Sequence, residues 1–405
     1  MPQARNQTGK LNIKSKLTRN AWIKEGIVQK QSKSFWSPFK GKTLDAVIVQ
    51  QQTSTASAGH TLVMDYDGNF AGAARTGKEK AYGYGGVKLK FSDSMTAKRL
   101  RYPINNGDKF DGVAIGDLSI NEHSDSRSKL SDNWVRQEDQ FFFDLGTGYA
   151  PGANLTHGFQ IGGKTDPFEL TAADKMSYQE LIKISTAVKT GKGFTIGGNR
   201  RPISAWQGDA NNGQNPEPVY PFVLSAFQMA ELKLDTDFQR VMMTADIRGR
   251  GNMAINGAVG KLQSLFTIEA PTYYGYEDEV GNNALGKSVV EMSGLRRCAI
   301  TAKGAKVVYE GTEAYDKAIV KSGTVLFDRA IIVGKGAFSE GIGMDPDYKF
   351  QSSEDFGIDS ESMLEWWGNA QTTVLKPETE DYEKAKIGDM AFGCIFVDSF
   401  VSKVA

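Results

Sequence analysis

Eight residues in the chain spell a pattern that could do phosphate chemistry. Gly281-Asn-Asn-Ala-Leu-Gly286-Lys287-Ser288 matches GxxxxGK[ST], in which loop amides cradle phosphates, the lysine meets the β/γ oxygens and the serine binds Mg²⁺. Val325-Leu-Phe-Asp328 would be the matching metal-holding strand. The context opposes this reading. A phosphate loop should follow a buried apolar strand, whereas this one follows Tyr276-Glu-Asp-Glu-Val280, whose three carboxylates repel a triphosphate. A surface turn in a glycine-rich chain accounts for the match.

The other chemical patterns are weaker still. Asp65-Tyr-Asp67-Gly-Asn69 begins like a calcium loop, but Phe70 stands where an EF-hand needs glycine and Thr76 where it needs glutamate, so a turn is expected. His60, His123 and His157 have no serine or cysteine motif beside them, and three histidines make a His-rich metal centre implausible. Trp366-Trp367 beside Glu365 reads as a packed strand or interface anchor before it reads as a sugar platform. Arg248-Gly-Arg250-Gly has too few arginines for a nucleic-acid tract. Cys298 and Cys394 lie in no ligand-like spacing, which fits a reducing compartment. No catalytic residue, metal or cofactor is expected.

The elements around these residues say more than the residues do. The 405 residues carry 48 Lys+Arg and 48 Asp+Glu, a formal charge of zero. The charge is segregated. Residues 1–42 hold ten basic residues, among them Lys10, Lys14, Lys16, Arg19 and Lys24, against Glu25 alone, a formal +9. Residues 340–384 hold twelve acidic residues, including Glu354, Asp355, Asp359, Glu361 and Glu365, against three lysines, a formal −9. Such an arrangement permits pairing within a chain, pairing between copies, or an arm facing nucleic acid. No stretch approaches the apolar length of a membrane span, and Met-Pro-Gln-Ala-Arg has no apolar run behind it, so no signal peptide is read.

Residues 1–59 read as an extended arm with one short helix at Ala21–Lys33, striped by Trp22, Ile23, Ile27 and Val28. Residues 60–104 read as a long β-hairpin. Its strands are Thr61–Met64 and Gly86–Phe91, with Val87, Leu89 and Phe91 alternating against Lys88 and Lys90. Eight basic residues lie along its second half: Arg75, Lys78, Lys80, Lys88, Lys90, Lys98, Arg99 and Arg101. A ribbon this long is marginal alone in water and needs a surface, supplied by a neighbouring subunit or by its own chain.

Asp117–Leu145 reads as a long polar helix with Leu130, Trp134, Phe141 and Leu145 on one face. Ser177-Tyr-Gln-Glu180 is a capping box opening a helix through Val188. Tyr220–Leu224 reads as a buried strand, and Ser225 caps a helix holding Met229, Leu232 and Leu234. Lys261–Ile268 reads as one strand, Val325–Phe327 and Ala330–Val333 as apolar runs split by Asp328, and Met390–Val401 as a final strand region. Strands and helices mix without a regular βαβ rhythm, which favours α+β.

In this order of parts the chain resembles the major capsid protein of tailed bacteriophages, with the HK97-like capsid fold, and more specifically the N4-like family. The residues that carry the resemblance are the helical run Trp22–Phe35, the block Asp139-Gln-Phe-Phe-Phe-Asp-Leu145, and Tyr220-Pro-Phe-Val-Leu-Ser-Ala-Phe-Gln228 with Leu232. A further block within 249–271 reads Arg250-Gly-Asn-Met-Ala-Ile-Asn-Gly257, Val259-Gly260 and Phe266-Thr-Ile-Glu-Ala-Pro271.

The resemblance implies an N-terminal arm (1–59) along adjacent subunits and an extended loop (60–104) over a neighbour. It implies a peripheral domain with the spine helix (105–150), a mainly axial domain (151–330), and strands returning to the peripheral domain (331–405). It implies self-assembly into pentamers and hexamers, and an icosahedral shell around double-stranded DNA held without sequence preference. It also implies a portal, a decoration protein as a further partner and, given the short arm, a separate scaffold protein. The location implied is the virion, after assembly in the host cytoplasm. The basic loop would meet a neighbour, the arm with Trp22 would meet a neighbour or the genome, and the acidic residues from Glu354 to Glu365 would receive the loop. The alternatives are a cellular nanocompartment shell of the same fold, a tail or decoration component, and a nucleotide hydrolase using Lys287 and Ser288.

Overall fold

The structure is a computed structural model. It describes residues 34–43, 45–52, 61–67, 76, 82, 90–108, 122–200, 202–206, 218–244, 258–262, 264–274, 291–352, 359–377, 390–391 and 393–404. The helical run at 21–33, the phosphate-loop match at 281–288 and the Arg248–Arg250 tract lie outside the described residues.

From Ser34 the chain makes a 3₁₀ turn (Ser37–Phe39) and enters β1 (Lys40–Gly41) and β2 (Ile48–Gln52). A hairpin of β3 (Thr61–Asp67) and β4 (Lys90–Thr96) leads past Ala97 into β5 (Lys98–Asp108), and then comes the long helix α1 (Glu122–Thr147). The middle of the chain holds β6 (Gly158–Gln160), α2 (Tyr178–Thr190), β7 (Tyr220–Leu224), α3 (Ala226–Leu234) and α4 (Thr236–Thr244). It continues through β8 (Ala258–Leu262), β9 (Leu265–Glu269), β10 (Thr272–Tyr274), β11 (Glu291–Ser293), β12 (Arg297–Ile300), β13 (Val308–Tyr309) and α5 (Glu313–Ala318). Then come β14 (Val325–Val333), the long strands β15 (Phe338–Ser352) and β16 (Asp359–Thr372), and finally β17 (Val374–Pro377), β18 (Met390–Ala391) and β19 (Cys394–Lys403).

Among the described residues there are four sheets, one of them the two-stranded β10–β11 pair. A five-stranded sheet runs β1-β2-β15-β16-β5, and a four-stranded sheet runs β18-β17-β4-β3. An eight-stranded sheet is built around β14, which takes β19 along one edge and β12 and then β7 along the other. The described chain is therefore α+β, as its pattern predicts.

Helix α1 docks on two of these sheets. Its first half puts Leu130 and Trp134 against Tyr348, Leu364 and Trp366 of the five-stranded sheet, where Leu100, Tyr102 and Ile104 of β5 alternate toward the same core. Its second half buries Phe142, Phe143 and Leu145 with Trp36, Phe338 and the β14 residues Ile331 and Val333. The predicted stripe is thus a real docking face, widened by two phenylalanines. A separate core gathers α2, α3 and the eight-stranded sheet around Leu181, Ile184, Phe222, Met229, Leu232 and Ile332.

Local rules hold where the sequence states them clearly. Ser177 caps α2 by accepting the Glu180 N–H, and Ser225 with Gln228 forms a complete capping box on α3. Leu234, expected inside, is 75% exposed at the last turn of α3. Helix α2 ends on Gly191 in the left-handed region at φ 71°, and a Cβ there would collide with the Arg200 carbonyl. Gly191→Ala is expected to cost about 1–3 kcal/mol through positive-φ strain and that clash, read as a lowered denaturant midpoint.

The structure corrects three expectations. Lys261–Ile268 is a hairpin and not one strand, because Ser264 turns the chain at φ 72° between β8 and β9. Asp328 does not split β14, because its buried carboxylate accepts from Ser225 Oγ (2.7 Å) and Arg297 Nε (3.1 Å), which lets a charged residue stay inside a continuous strand. Asp65 and Asp67 lie in β3, in register with Ser92 and Lys90, and not in a turn.

Candidate assembly surfaces

The root of the N-terminal segment is clamped to the spine helix. Asp139 of α1 accepts Ser34 Oγ at 2.6 Å and the Phe35 N–H at 2.7 Å. Burial pushes the Asp139 carboxyl up, although those two bonds pull the other way. One residue back, Glu138 takes Lys40 Nζ at 2.7 Å, and Lys40 also reaches Glu340 of β15 at 3.3 Å. Gln50 Nε2 donates to Glu340 at 2.7 Å. Burial lowers the Lys40 pKa, but the Glu340 and Glu138 charges outweigh it and hold the amine charged. Trp36 is fully buried among Phe143, Phe338, Phe39 and Phe142, with ring centroids 5.1–6.3 Å away.

Sequence reasoning missed this clamp. It placed residues 1–59 in one arm, whereas the chain from Ser34 to Gln52 is built into the body. The aromatic pair Trp36 and Phe39, gathered in one core with Phe142 and Phe143 of the Asp139–Phe143 block, was the available signal. Lys10, Lys14, Lys16, Arg19, Trp22 and Lys24 lie outside the described residues.

The hairpin stem rests on its own chain. β4 pairs with β17, and Val374 N–H donates to Asp93 of β4 at 3.2 Å. Gln371 Nε2 and Asn369 Nδ2 donate to the Ser94 and Thr96 carbonyls at 3.2 and 3.0 Å. Buried Leu62 and Met95 sit over Gly341 of β15, where a Cβ would run into both. The stem is therefore held at a fixed place on the five-stranded sheet. Arg75, Lys78, Lys80 and Lys88 lie outside the described residues, and Lys90 stands opposite Asp67 in the β3–β4 register.

Lys98, Arg99 and Arg101 do not belong to the hairpin. They lie on β5, exposed, in the five-stranded sheet, because Leu100, Tyr102 and Ile104 turn inward toward α1. The register sets Arg99 opposite Trp367 and Arg101 opposite Glu365. Arg99 Nε binds Glu365, Lys349 Nζ binds it at 2.5 Å, and Trp367 Nε1 donates to it at 3.2 Å. Led by the Arg99 bond, these contacts bring the Glu365 carboxyl down to about 2. Glu365 is only 1% exposed. This corrects its assignment to a surface offered to a neighbour: its charge is matched inside the chain. Glu361 is exposed, Asp359 opens β16 opposite Asp108, and Glu354 and Asp355 lie outside the described residues.

The remaining chemical candidates resolve into structure. Trp366 packs on Trp134 at 6.0 Å, and Trp367 lies beneath the Arg99 guanidinium at 5.9 Å. Burial pushes the Cys394 thiol up to about 12 and raises Cys298 further, so both stay protonated at neutral pH. Among the described residues no cluster of three or more His, Cys, Asp or Glu is placed to hold a metal, and no helix is long and apolar enough to cross a membrane.

His157 is 5% exposed, with Thr156 Oγ1 2.8 Å from its Nδ1. Burial, and then the Arg200 charge, lower its pKa to about 4. Between about pH 6.5 and 4 the unfolded chain binds a proton there that the folded chain refuses. His157→Asn is therefore expected to lose less thermal stability than the parent on acidification from pH 7 to 5, measured by calorimetry.

No protein-family model matches the sequence, and no curated protein matches it. Solved structures do. The capsid of Ralstonia phage GP4 is 16% identical over 92% of this chain and 92% of that chain, with a TM-score of 0.61. The acid-stable capsid of Helicobacter pylori bacteriophage KHP30 is 11% identical over 91% of each chain, with a TM-score of 0.61. The capsid of cyanophage Pam1 is 10% identical over 99% of this chain and 96% of that one, with a TM-score of 0.60. With its clamped N-terminal root, anchored hairpin, spine helix and two larger sheets, this chain is built on the fold of phage capsid proteins.

Proposed function

We propose that this chain is a structural, non-catalytic major capsid protein, and that copies of it form the pentamers and hexamers of an icosahedral shell around double-stranded DNA. The observation that carries the reading is the match to phage capsids over nine-tenths of both chains, with no large part of the fold left for another task. The N4-like family is the finer assignment, supported by the Asp139–Leu145, Tyr220–Gln228 and 250–271 blocks. The place of action is the virion shell, after assembly in the host cytoplasm. A scaffold protein, a portal and a decoration protein are the expected partners, with DNA held non-specifically.

Mechanically, many modest contacts act together once a subunit is held by several neighbours. In this proposal the N-terminal segment with Lys10, Lys14, Lys16, Arg19, Trp22 and Lys24 reaches a neighbour or the genome. The hairpin with Arg75, Lys78, Lys80, Lys88 and Lys90 lies over an adjacent subunit. Lys98 and Arg101 add positive charge beside it, and Glu354, Asp355, Asp359 and Glu361 form the receiving surface. The hairpin stem, held by β17 and over Gly341 of its own chain, supports this role as a fixed base for the loop. Changing Lys78, Lys80, Lys88 and Lys90 together to Glu is expected to abolish or loosen assembly while circular dichroism and Tm stay near the parent's. Normal shells from that variant would end the charge-pairing idea.

Sedimentation velocity, on the protein alone and with its scaffold, tests the reading. Megadalton particles are expected, and a persistent 44 kDa species under both conditions would contradict it. The nucleic-acid absorbance of particles from infected cells separates a genome shell from a compartment filled with protein cargo.

A further inference from the structure

Two strand edges in the fold are open. β5 ends the five-stranded sheet, and β3 ends the four-stranded sheet. Among the described residues neither has a strand on its outer side. An open edge is a row of backbone donors and acceptors that a strand of another chain can use.

The two edges differ in charge. On β5, Lys98, Arg99 and Arg101 are exposed. Glu365 is the carboxylate opposite Arg101, and Arg99 and Lys349 already share it. Such a row of like charges keeps β5 from pairing with β5 of a second copy. It selects an acidic edge instead. β3 has Asp65 and Asp67 at alternate positions, opposite Ser92 and Lys90 of β4. Val63, at the alternate position before them, is 53% exposed.

The backbone of β5 fixes where hydrogen bonds can form. Pro103 is exposed and stands opposite Met363 of β16. Proline is accepted on an edge strand when its nitrogen lies on the open side. By alternation, Arg99 and Arg101 then turn their N–H and C=O groups to that same side. The outward bonds of β5 thus fall at the two residues whose side chains call for carboxylates.

We propose that β3 of one copy adds antiparallel to β5 of the next, with Asp65 opposite Arg101 and Asp67 opposite Arg99. The four-stranded sheet of one subunit then continues into the five-stranded sheet of its neighbour. In this register Val63 comes opposite Pro103, and Met64 and Tyr66 come opposite the half-buried Tyr102 and Leu100. The two surfaces are different, so the contact runs head to tail, the geometry that builds rings. The inference rests on the capsid reading and gives the hairpin stem its receiving edge.

Paired cysteines test the register. Asp65→Cys and Arg101→Cys in one full-length chain put two thiols on opposed residues, whose Cα atoms in an antiparallel pair lie about 4.5–5.5 Å apart, within disulfide reach. Cys298 and Cys394 are buried and do not compete. Oxidised particles are expected to run on a non-reducing gel as a ladder that ends at covalent pentamers and hexamers. Asp65→Cys with Arg99→Cys, the pair that parallel addition would oppose, should cross-link much less.

Charge is tested separately. Arg101→Asp is expected to lower particle yield about tenfold, with the Tm of the unassembled chain unchanged. Adding Asp65→Arg should restore the yield to within about twofold, because the exchanged charges again attract. No 65–101 cross-link, stronger 65–99 cross-linking, or no rescue by the exchanged pair would overturn the inference. A concentrated mixture of unassembled chains, one with Asp65→Cys and the other with Arg101→Cys, should give a covalent heterodimer. This separates the two readings. Particles without the cross-link end strand addition and leave the capsid reading standing. A heterodimer from chains that never form particles supports strand addition and counts against the capsid reading.

Discussion

Trp36→Ala is expected to destabilise the chain by about 3–5 kcal/mol and to abolish assembly in conditions where the monomer still folds. The indole is 0% exposed and is packed by Phe39, Phe142, Phe143 and Phe338, which come from the N-terminal root, the spine helix and β15. Its removal leaves a hole at the junction of three elements that close packing cannot refill. The polar clamp on either side, Ser34 with Asp139 and Lys40 with Glu138, then has no apolar wedge between its two points. The segment before Ser34 therefore loses its fixed point of departure. Urea denaturation measures the first effect and particle yield the second. Tyr82→Ala, at a position 88% exposed, is the matched control and should change stability by no more than about 0.5 kcal/mol. A Trp36→Ala protein as stable as that control would contradict the clamp.

The second large effect lies in the buried ion pair of β14 and β19. Arg329 Nε and Nη2 meet the two Asp398 oxygens at 2.7 and 3.0 Å, with the arginine side chain 8% exposed and the aspartate 0%. The same guanidinium donates through Nη1 to the Thr147 carbonyl at the end of α1, at 3.0 Å, where Tyr309 also donates. It therefore closes the helix terminus and joins the helix to the eight-stranded sheet. Arg329→Met is expected to cost about 3–5 kcal/mol, because Asp398 stays buried with its charge unmatched. Asp398→Leu added to Arg329→Met should restore much of the loss, since two apolar groups of similar shape leave no charge behind. A double variant no more stable than the single one would place the cost in lost packing and the lost helix cap, and not in the stranded carboxylate.

The sequence made the elements legible where periodicity and caps are local. Ser177 and Ser225 name their helix starts, the Leu130–Leu145 stripe names its docking face, and Tyr220–Leu224 reads as buried because it is. It hid whatever depends on partners far along the chain. Asp328 looks like a strand breaker until Ser225 and Arg297 arrive from residues 103 and 31 positions away. Glu365 looks like surface charge until Arg99 of β5 and Lys349 of β15 close over it. The split between Lys90 and Lys98 has the same origin. Both are lysines on alternating strands, but β4 pairs with β17 and β5 with β16, and only the folded register separates hairpin from sheet. The Asp139 clamp spans 105 residues, and no local pattern announces it.

Electron cryomicroscopy of the purified full chain, expressed alone and with a candidate scaffold protein, tests the central claim most directly. The account predicts closed icosahedral shells whose pentamers and hexamers carry the spine helix and both larger sheets as described, with residues 34–52 clamped on α1 and the β3–β4 hairpin projecting over an adjacent subunit. A monodisperse monomer or small dimer, or shells in which that hairpin meets no neighbour, would contradict it.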